Sequence, residues 1–150
     1  MMAVTSFYVQ PYEIDKMNIV YHAFYIRWFE LGRMDFFNKA DLADSIIIKQ
    51  GFYLPVSQIE CRFKSPARFG DQISVYTSIA YISCVKLKFE YKIINKKSGN
   101  ILAVGSTVHA WTDSQISPVN IEKSAPGIYS LLKEYTEKTN KAGEREEAED

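Results

Sequence analysis

Between Asp15 and Arg33 the chain places a carboxylate, an asparagine at Asn18, and Tyr21-His22 ahead of a long aromatic-rich stretch. This spacing puts Asp15 in a loop before a helix, and Asn18 is suited to a left-handed turn. Tyr21 and His22 then fall near the helix N-terminus. There, backbone N–H groups lack intrahelical acceptors and the positive end of the dipole favours developing negative charge. A carboxylate facing an acyl carbonyl polarised by such donors suits acyl transfer: one group attacks or activates water, and fixed donors hold the oxyanion. The bland reading of an Asp in this position is a cap or a turn residue. The imidazole of His22 is a further candidate beside its backbone N–H.

These residues need a scaffold. Residues 21–39 read as a helix with Tyr25, Ile26, Trp28, Phe29, Phe36 and Phe37 on one broad side and Ala23, Phe24, Leu31 and Met34 on the other. A helix so apolar is expected to be buried on more than one side. Gly32 in its middle points to close packing. Residues 3–9 read as a first strand closed by Pro11. Further strands are expected over 56–64, 71–82, 86–94 and 101–112. Ile73, Val75, Thr77, Ile79 and Tyr81 share one face, and Leu87, Phe89, Tyr91 and Ile93 share another. Asn95–Asn100, with Ser98-Gly99, reads as a hairpin connection. Ser124 and Pro126 signal a terminal helix with Ile128, Leu131, Leu132 and Tyr135 as its apolar stripe. One helix feeding a run of antiparallel strands implies an α+β sheet wrapped on a single helix. The domain is expected to cover residues 1–136, followed by a polar, disordered tail at 137–150.

Length and charge narrow the function classes. A chain of 150 residues is one ordinary domain, and 47% hydrophobic with 14% aromatic content supports a packed core. Lys+Arg and Asp+Glu balance at 18 each, so nothing draws the chain generally to nucleic acid or an anionic membrane. No stretch of about 18 apolar residues suggests a membrane span, and no signal peptide opens the chain, so the expected location is the cytoplasm. Cys61 and Cys84 read as small buried thiols. His22 and His109 lie far apart with no acidic or thiol cluster nearby, so no metal site is expected. His109 reads as a packed histidine, and Glu30 with Arg33 as an ion pair along the helix.

Asp15, Ile19, Val20, Tyr21, His22, Tyr25, Trp28, Phe29, Glu30 and Arg33 match the central pattern of the hotdog thioesterases of the 4-hydroxybenzoyl-CoA and related acyl-CoA type. Arg62 to Asp71, with Pro66, Ala67, Arg68 and Phe69, resembles that family's turn between sheet strands. Phe89–Ile93 with Leu102–His109 resembles its last two strands. The resemblance covers about residues 4–113. It implies a hotdog fold, a five-stranded antiparallel sheet wrapped around one long central helix, with a C-terminal helix beyond. It further implies a homodimer joined through its sheets with a shared active site, often paired again into a homotetramer. The implied substrate is an acyl-CoA or acyl-carrier thioester, with no cofactor. Carried over residue by residue, Asp15 is the nucleophile or general base and the His22 backbone N–H the oxyanion donor. Val20 and Tyr25 border the acyl pocket, and Arg68 and Lys86 are candidates for binding substrate phosphates, with Lys64 and Lys88 beside them.

The chain departs from the pattern at Asn18, where glycine is expected, at Phe24, where a small or amide residue is common, and at Cys84-Val85, where relatives often carry a basic residue and serine. Two other functions stand against hydrolysis. One is a hotdog dehydratase on 3-hydroxyacyl thioesters, which would pair a catalytic His with an acid. The other is a non-catalytic acyl-thioester binding module, for which Asp15 would be dispensable.

Overall fold

The computed structural model describes residues 1–149, with side chains described at all of these except 44, 45 and 138–149. In chain order come β1 (Met2–Tyr8), a 3-10 turn at Pro11–Glu13, α1 (His22–Lys39), α2 (Asp44–Lys49), β2 (Val56–Phe63), β3 (Gln72–Ile82), β4 (Lys86–Asn95), β5 (Ile101–Ala110), α3 (Ile121–Ser124) and α4 (Pro126–Glu149). The strands form one antiparallel sheet in the order β1-β3-β4-β5-β2. The sheet packs on α1, which is the α+β hotdog arrangement that the resemblance implies. The polar tail expected from residue 137 falls, from 138 onward, outside the residues whose side chains are described. No described helix is long and apolar enough to cross a membrane.

Strand alternation builds the core. Ile73, Val75, Thr77 and Ile79 of β3 and Leu87, Phe89, Tyr91 and Ile93 of β4 are all buried. They meet Trp28, Phe29, Phe36 and Phe37 of α1: Phe29 stacks on Tyr91 with centroids 4.4 Å apart, and Phe36 and Phe37 both lie edge-on to Phe89 at 5.4 Å. Each such ring contributes about 1.5–3 kcal/mol by burial. Tyr81 breaks the expected alternation and is exposed, because the β3–β4 register shifts between Ile79 and Tyr81 and a bulge turns the following side chain to the other face.

Helix α1 is covered on one face, not on several. Its buried residues are Tyr25, Trp28, Phe29, Gly32, Phe36 and Phe37, whereas Ile26 and Met34 are each 40% exposed. The sheet shields one side of the cylinder, and α2 with the segment before β2 adjoins only part of the rest, near Glu30, Met34 and Phe37. Cys61 and Cys84 are free and half-buried, less enclosed than expected; burial still pushes the Cys61 thiol up, which keeps it protonated. Two short helices, α2 and α3, lie below the length at which hydrophobic periodicity can be read. Asn120 caps α3 by accepting a hydrogen bond from the Lys123 N–H at 3.1 Å.

A buried polar chain crosses the core. Nδ1 of His109 lies 3.0 Å from the Leu54 carbonyl, which can only accept, so Nδ1 carries the proton and donates. Nε2 then accepts from Thr107 Oγ1 at 2.8 Å. Thr107 in turn accepts from Tyr91 Oη at 2.6 Å, and Tyr91 accepts from Arg33 Nη1 at 3.0 Å. Every proton runs one way, from Arg33 to Leu54, and the chain closes only with neutral imidazole. Burial, together with the Arg33 charge, lowers the His109 pKa to about 4 against the hydrogen bond to Leu54, which raises it.

Two predictions follow from this core. A Cβ on Gly32 would run into Thr77 Oγ1 and come within 2.9 Å of Val75 Cγ1, so Gly32→Ala should lower stability by about 1–3 kcal/mol despite a helix-propensity gain of about 1 kcal/mol. Chemical denaturation should show Thr77→Ala recovering most of that loss; a Gly32→Ala chain as stable as wild type would refute the close approach. For His109, the unfolded chain takes a proton below about pH 6.5, while the folded chain resists protonation down to about pH 4. Its contribution is therefore whole above pH 6.5 and is lost as pH falls toward 4. In unfolding titrations the stability gap between wild type and His109→Leu should narrow across that window, and a gap independent of pH would count against a neutral, buried imidazole.

Candidate active site

The loop before α1 is closed by backbone bonds at every step. Tyr21 N–H donates to the Glu13 carbonyl at 3.0 Å, Asp15 N–H to Ile19 at 2.8 Å, and Asn18 N–H to Asp15 at 3.1 Å. Ile14 and Val20 bridge antiparallel. Asn18 makes the reversal with φ +60°, as its short polar side chain permits. Val20 N–H donates to Ala67 at 2.9 Å, and Ile19 bridges Arg68, so the loop is fastened to the 62–71 turn.

Within this loop Asp15 is half-buried. Its Oδ1 accepts from the N–H groups of Met17 at 2.7 Å and Ile19 at 3.2 Å. These bonds fix the carboxylate, while Oδ2 receives no hydrogen bond from the described residues. Glu13, which the sequence reading passed over, lies beneath it at 5% exposure. Its Oε2 accepts from Trp28 Nε1 at 2.9 Å and its Oε1 from the Gln10 N–H at 2.7 Å. The available signal was local: Glu13 stands three residues after the Gln10 cap with Pro11 between, the spacing of a capping box.

Helix α1 begins without a side-chain cap. Tyr21 occupies the N-cap position and its side chain makes no capping bond. Among the described residues the His22 and Ala23 N–H groups have no acceptor. Beside His22 lies a recess of about 260 Å³, lined by Ile19, Val20, Tyr25, Phe63 and Pro66 and edged by Lys64 and Ser65. The Tyr25 ring meets Phe63 edge-on at 5.0 Å, and its hydroxyl accepts from the Ala67 N–H at 3.1 Å; burial pushes its pKa up, keeping it neutral. A small apolar pocket beside unpaired helix-terminal donors can hold an acyl group and polarise its carbonyl, and a carboxylate fixed to the N–H of one lining residue, Ile19, is a group able to attack or to activate water.

Val20, His22 and Tyr25 thus line one recess, whereas Asp15 is not among its lining residues and is tied to it through the N–H of Ile19, which is. Arg68 adjoins it through the Ile19 bridge, with an exposed side chain and its N–H donating to Asp71 Oδ2 at 2.9 Å. Lys86 is not brought there within one chain. It starts β4, whereas the loop lies beside the end of β4 near Asn95, about 30 Å along the strand. The expected Glu30–Arg33 pair also does not form. Glu30 pairs with Arg27 at 3.0 Å, and Arg33 turns inward to Tyr91. His109 is buried, as expected of a packed histidine. A larger hollow of about 420 Å³, on the outer sheet face between Glu60, Arg62, Lys88, Glu90 and Lys92, is remote from Asp15.

Comparison with known proteins places this geometry in a family. The thioesterase-like superfamily pattern matches residues 9–130. The putative acyl-CoA thioesterase YneP of Bacillus subtilis (strain 168) is 30% identical over 115 residues, covering 76% of this chain and 83% of that protein. The chloroplastic acyl-acyl carrier protein thioesterase ATL3 of Arabidopsis thaliana is 26% identical over 116 residues, 77% of this chain; the match spans only 61% of ATL3. The solved structure of a DHNA-CoA thioesterase from Staphylococcus aureus superposes with a TM-score of 0.88 at 24% identity, covering 94% of this chain and 95% of that one, and so shares its fold. On the extent of that pattern and its agreement with the fold, this chain belongs to the thioesterase-like superfamily.

Proposed function

We propose that the chain hydrolyses the thioester of a small or medium acyl or aryl group carried on CoA, giving the free acid and thiol. What carries this reading is the uncapped N-terminus of α1 at an apolar recess, with Asp15 in the loop just before it held by the N–H of the lining residue Ile19 and its Oδ2 without a partner among the described residues. Asp15 is the nucleophile or the general base, and the His22 N–H is the oxyanion donor. Val20 and Tyr25 shape the acyl pocket, and Arg68 at its margin receives phosphate. A cytoplasmic location suits a substrate on CoA.

The name of ATL3 makes an acyl-carrier thioester the second substrate class to try. A dehydratase could not use His109, whose ring nitrogens are both occupied in the core, and would have to rely on His22. Strand β2 supports assembly into a homodimer: it pairs with β5 on one side and with no described strand on the other. Val56, Ile59 and Phe63 are exposed along it. Such an edge is a template for a second copy, and the two recesses would then share walls, with Lys86 serving only from the other protomer. Pairing of two dimers into a homotetramer belongs to the same reading.

Free-thiol release from a panel of short, long and aryl acyl-CoAs should be lowered about 10²–10⁴-fold by Asp15→Asn. Acyl-CoA that binds equally to both forms without turnover in either would favour the binding module. Glu13→Gln keeps the shape but replaces one acceptor with a donor; as a positioning change it should reduce kcat about 10-fold with KM preserved and shift Trp28 fluorescence. An unchanged kcat would leave Glu13 a merely structural residue. In sedimentation, wild type should run as a dimer or tetramer, and Ile59→Lys as a smaller, inactive species; a monomeric, active wild type would exclude the shared site.

A further inference from the structure

We propose that the end of the molecule formed by Tyr8, the 15–18 loop, the turn into β3 and the hairpin after β4 docks on an anionic membrane surface. Bases and acids balance at 18 each, but the charge is unevenly placed. A hollow of about 590 Å³ opens at this end, with Tyr8, Phe69, Lys96 and Lys97 in its lining beside the half-buried Gln72 and Asn95. Backbone bonds hold its walls together: Val9 N–H donates to the Asp71 carbonyl at 3.0 Å and Lys96 N–H to that of Gln72 at 2.9 Å. Lys16 and Met17 join the same end, because Ile19 bridges Arg68, the residue before Phe69.

The cations here project outward. Lys16, Arg68, Lys96 and Lys97 are all exposed, and none forms an ion pair with a carboxylate among the described residues. The acids of the same segments are drawn to the backbone instead. Glu13 is buried on the Trp28 indole and the Gln10 N–H. Asp15 Oδ1 takes the N–H groups of Met17 and Ile19, and Asp71 Oδ2 takes that of Arg68. This end therefore offers free positive charge to an anionic surface.

The apolar groups decide which surface. Tyr8, Met17 and Phe69 are 57%, 69% and 53% exposed. Each stands on a separate segment, and two of them follow a cation directly in sequence, as Lys16-Met17 and Arg68-Phe69. A helical protein partner asks for one continuous apolar groove. Single apolar side chains set among cations suit a fluid interface, where each enters the headgroup region by itself while Lys and Arg meet lipid phosphates. The hollow beside Lys96 and Lys97 has room for a headgroup. The recess at His22 shares the 62–71 turn with this end, so a docked chain holds that recess near the bilayer surface. Docking itself does not depend on the hydrolytic reading.

The test is co-sedimentation of the full chain with phosphatidylcholine vesicles, with and without about a third phosphatidylglycerol. Saturable binding is expected, about 10-fold or more tighter to the anionic vesicles, and falling as added salt shortens the Debye length. The double change Lys96→Glu with Lys97→Glu should weaken it about 10-fold or more, since each cation near such a surface contributes about 5-fold. Lys49→Glu with Lys123→Glu, the same change in net charge at exposed positions on α2 and α3, should leave binding unchanged. Phe69→Ser should weaken binding several-fold and keep its salt dependence. The proposal is overturned by no binding to the anionic vesicles, by equal binding to phosphatidylcholine alone, or by equal loss in both charge-reversed pairs. Retention on poly-glutamate without vesicle binding would also overturn it and assign this end to an acidic protein. Because the readout is vesicle binding, it stands or falls separately from any thioesterase assay.

Discussion

Removing a carboxylate from water costs several kcal/mol unless other donors replace the lost hydration, and Glu13 meets that cost with the indole N–H of Trp28 and the backbone N–H of Gln10. The first bond reaches into α1 and the second into the segment after β1, so one buried side chain clamps helix, strand end and loop together. The Glu13 carbonyl also accepts from Tyr21 N–H, which fixes where the helix begins. Everything at the recess follows from that starting point. Asp15 is held two residues downstream of the clamp, the turn at Asn18 returns the chain, and His22 opens α1 at the lining of the apolar recess. A charged residue in the core thus sets the position of a charged residue at the surface.

The aromatic core serves the same end at a longer range. Phe29 on Tyr91 and the Phe36, Phe37 and Phe89 cluster lock α1 across the sheet. Gly32 lets the helix approach Thr77 and Val75 where any larger residue would hold it away. The polar chain from Arg33 to Leu54 runs through this core fully bonded, as a buried network must be if it is to stabilise rather than weaken its surroundings. It ties the middle of α1 to the segment that leads into the edge strand β2.

Much of this was legible in the residues. The alternation of Ile73 to Ile79 and Leu87 to Ile93 gave strands with the correct buried face, because period two is a direct image of the pleat. Asn18 foretold a left-handed turn, and Gly32 a close contact. Other features were hidden for physical reasons. Tyr81 turned outward because a bulge leaves no mark in hydrophobic alternation. Glu30 and Arg33 have ideal spacing for a pair, yet Arg27 offered Glu30 an exposed partner on the same helix, and Tyr91, 58 positions away in sequence, took Arg33. The role of Glu13 depended on the indole of Trp28, a tertiary partner that local spacing does not name. Lys86 stands out in the sequence by charge alone, and charge says nothing about which end of a strand faces the site.

The start of α1 also shows where stability has been given up. A Ser, Thr, Asp or Asn at the N-cap would satisfy one of the orphan donors and is worth about 1 kcal/mol over a non-capping residue; Tyr21 supplies no such bond. A capping side chain would occupy the same N–H groups that an oxyanion must reach, so on the proposed mechanism capping and catalysis compete for one set of donors. The backbone closure of residues 13–21 resolves that competition. By bonding Tyr21 N–H to Glu13 and Phe24 N–H to Tyr21, it satisfies the flanking amides, and at the helix start the amides of His22 and Ala23 are left without a partner among the described residues. The helix is thereby stabilised around its opening without the opening being filled.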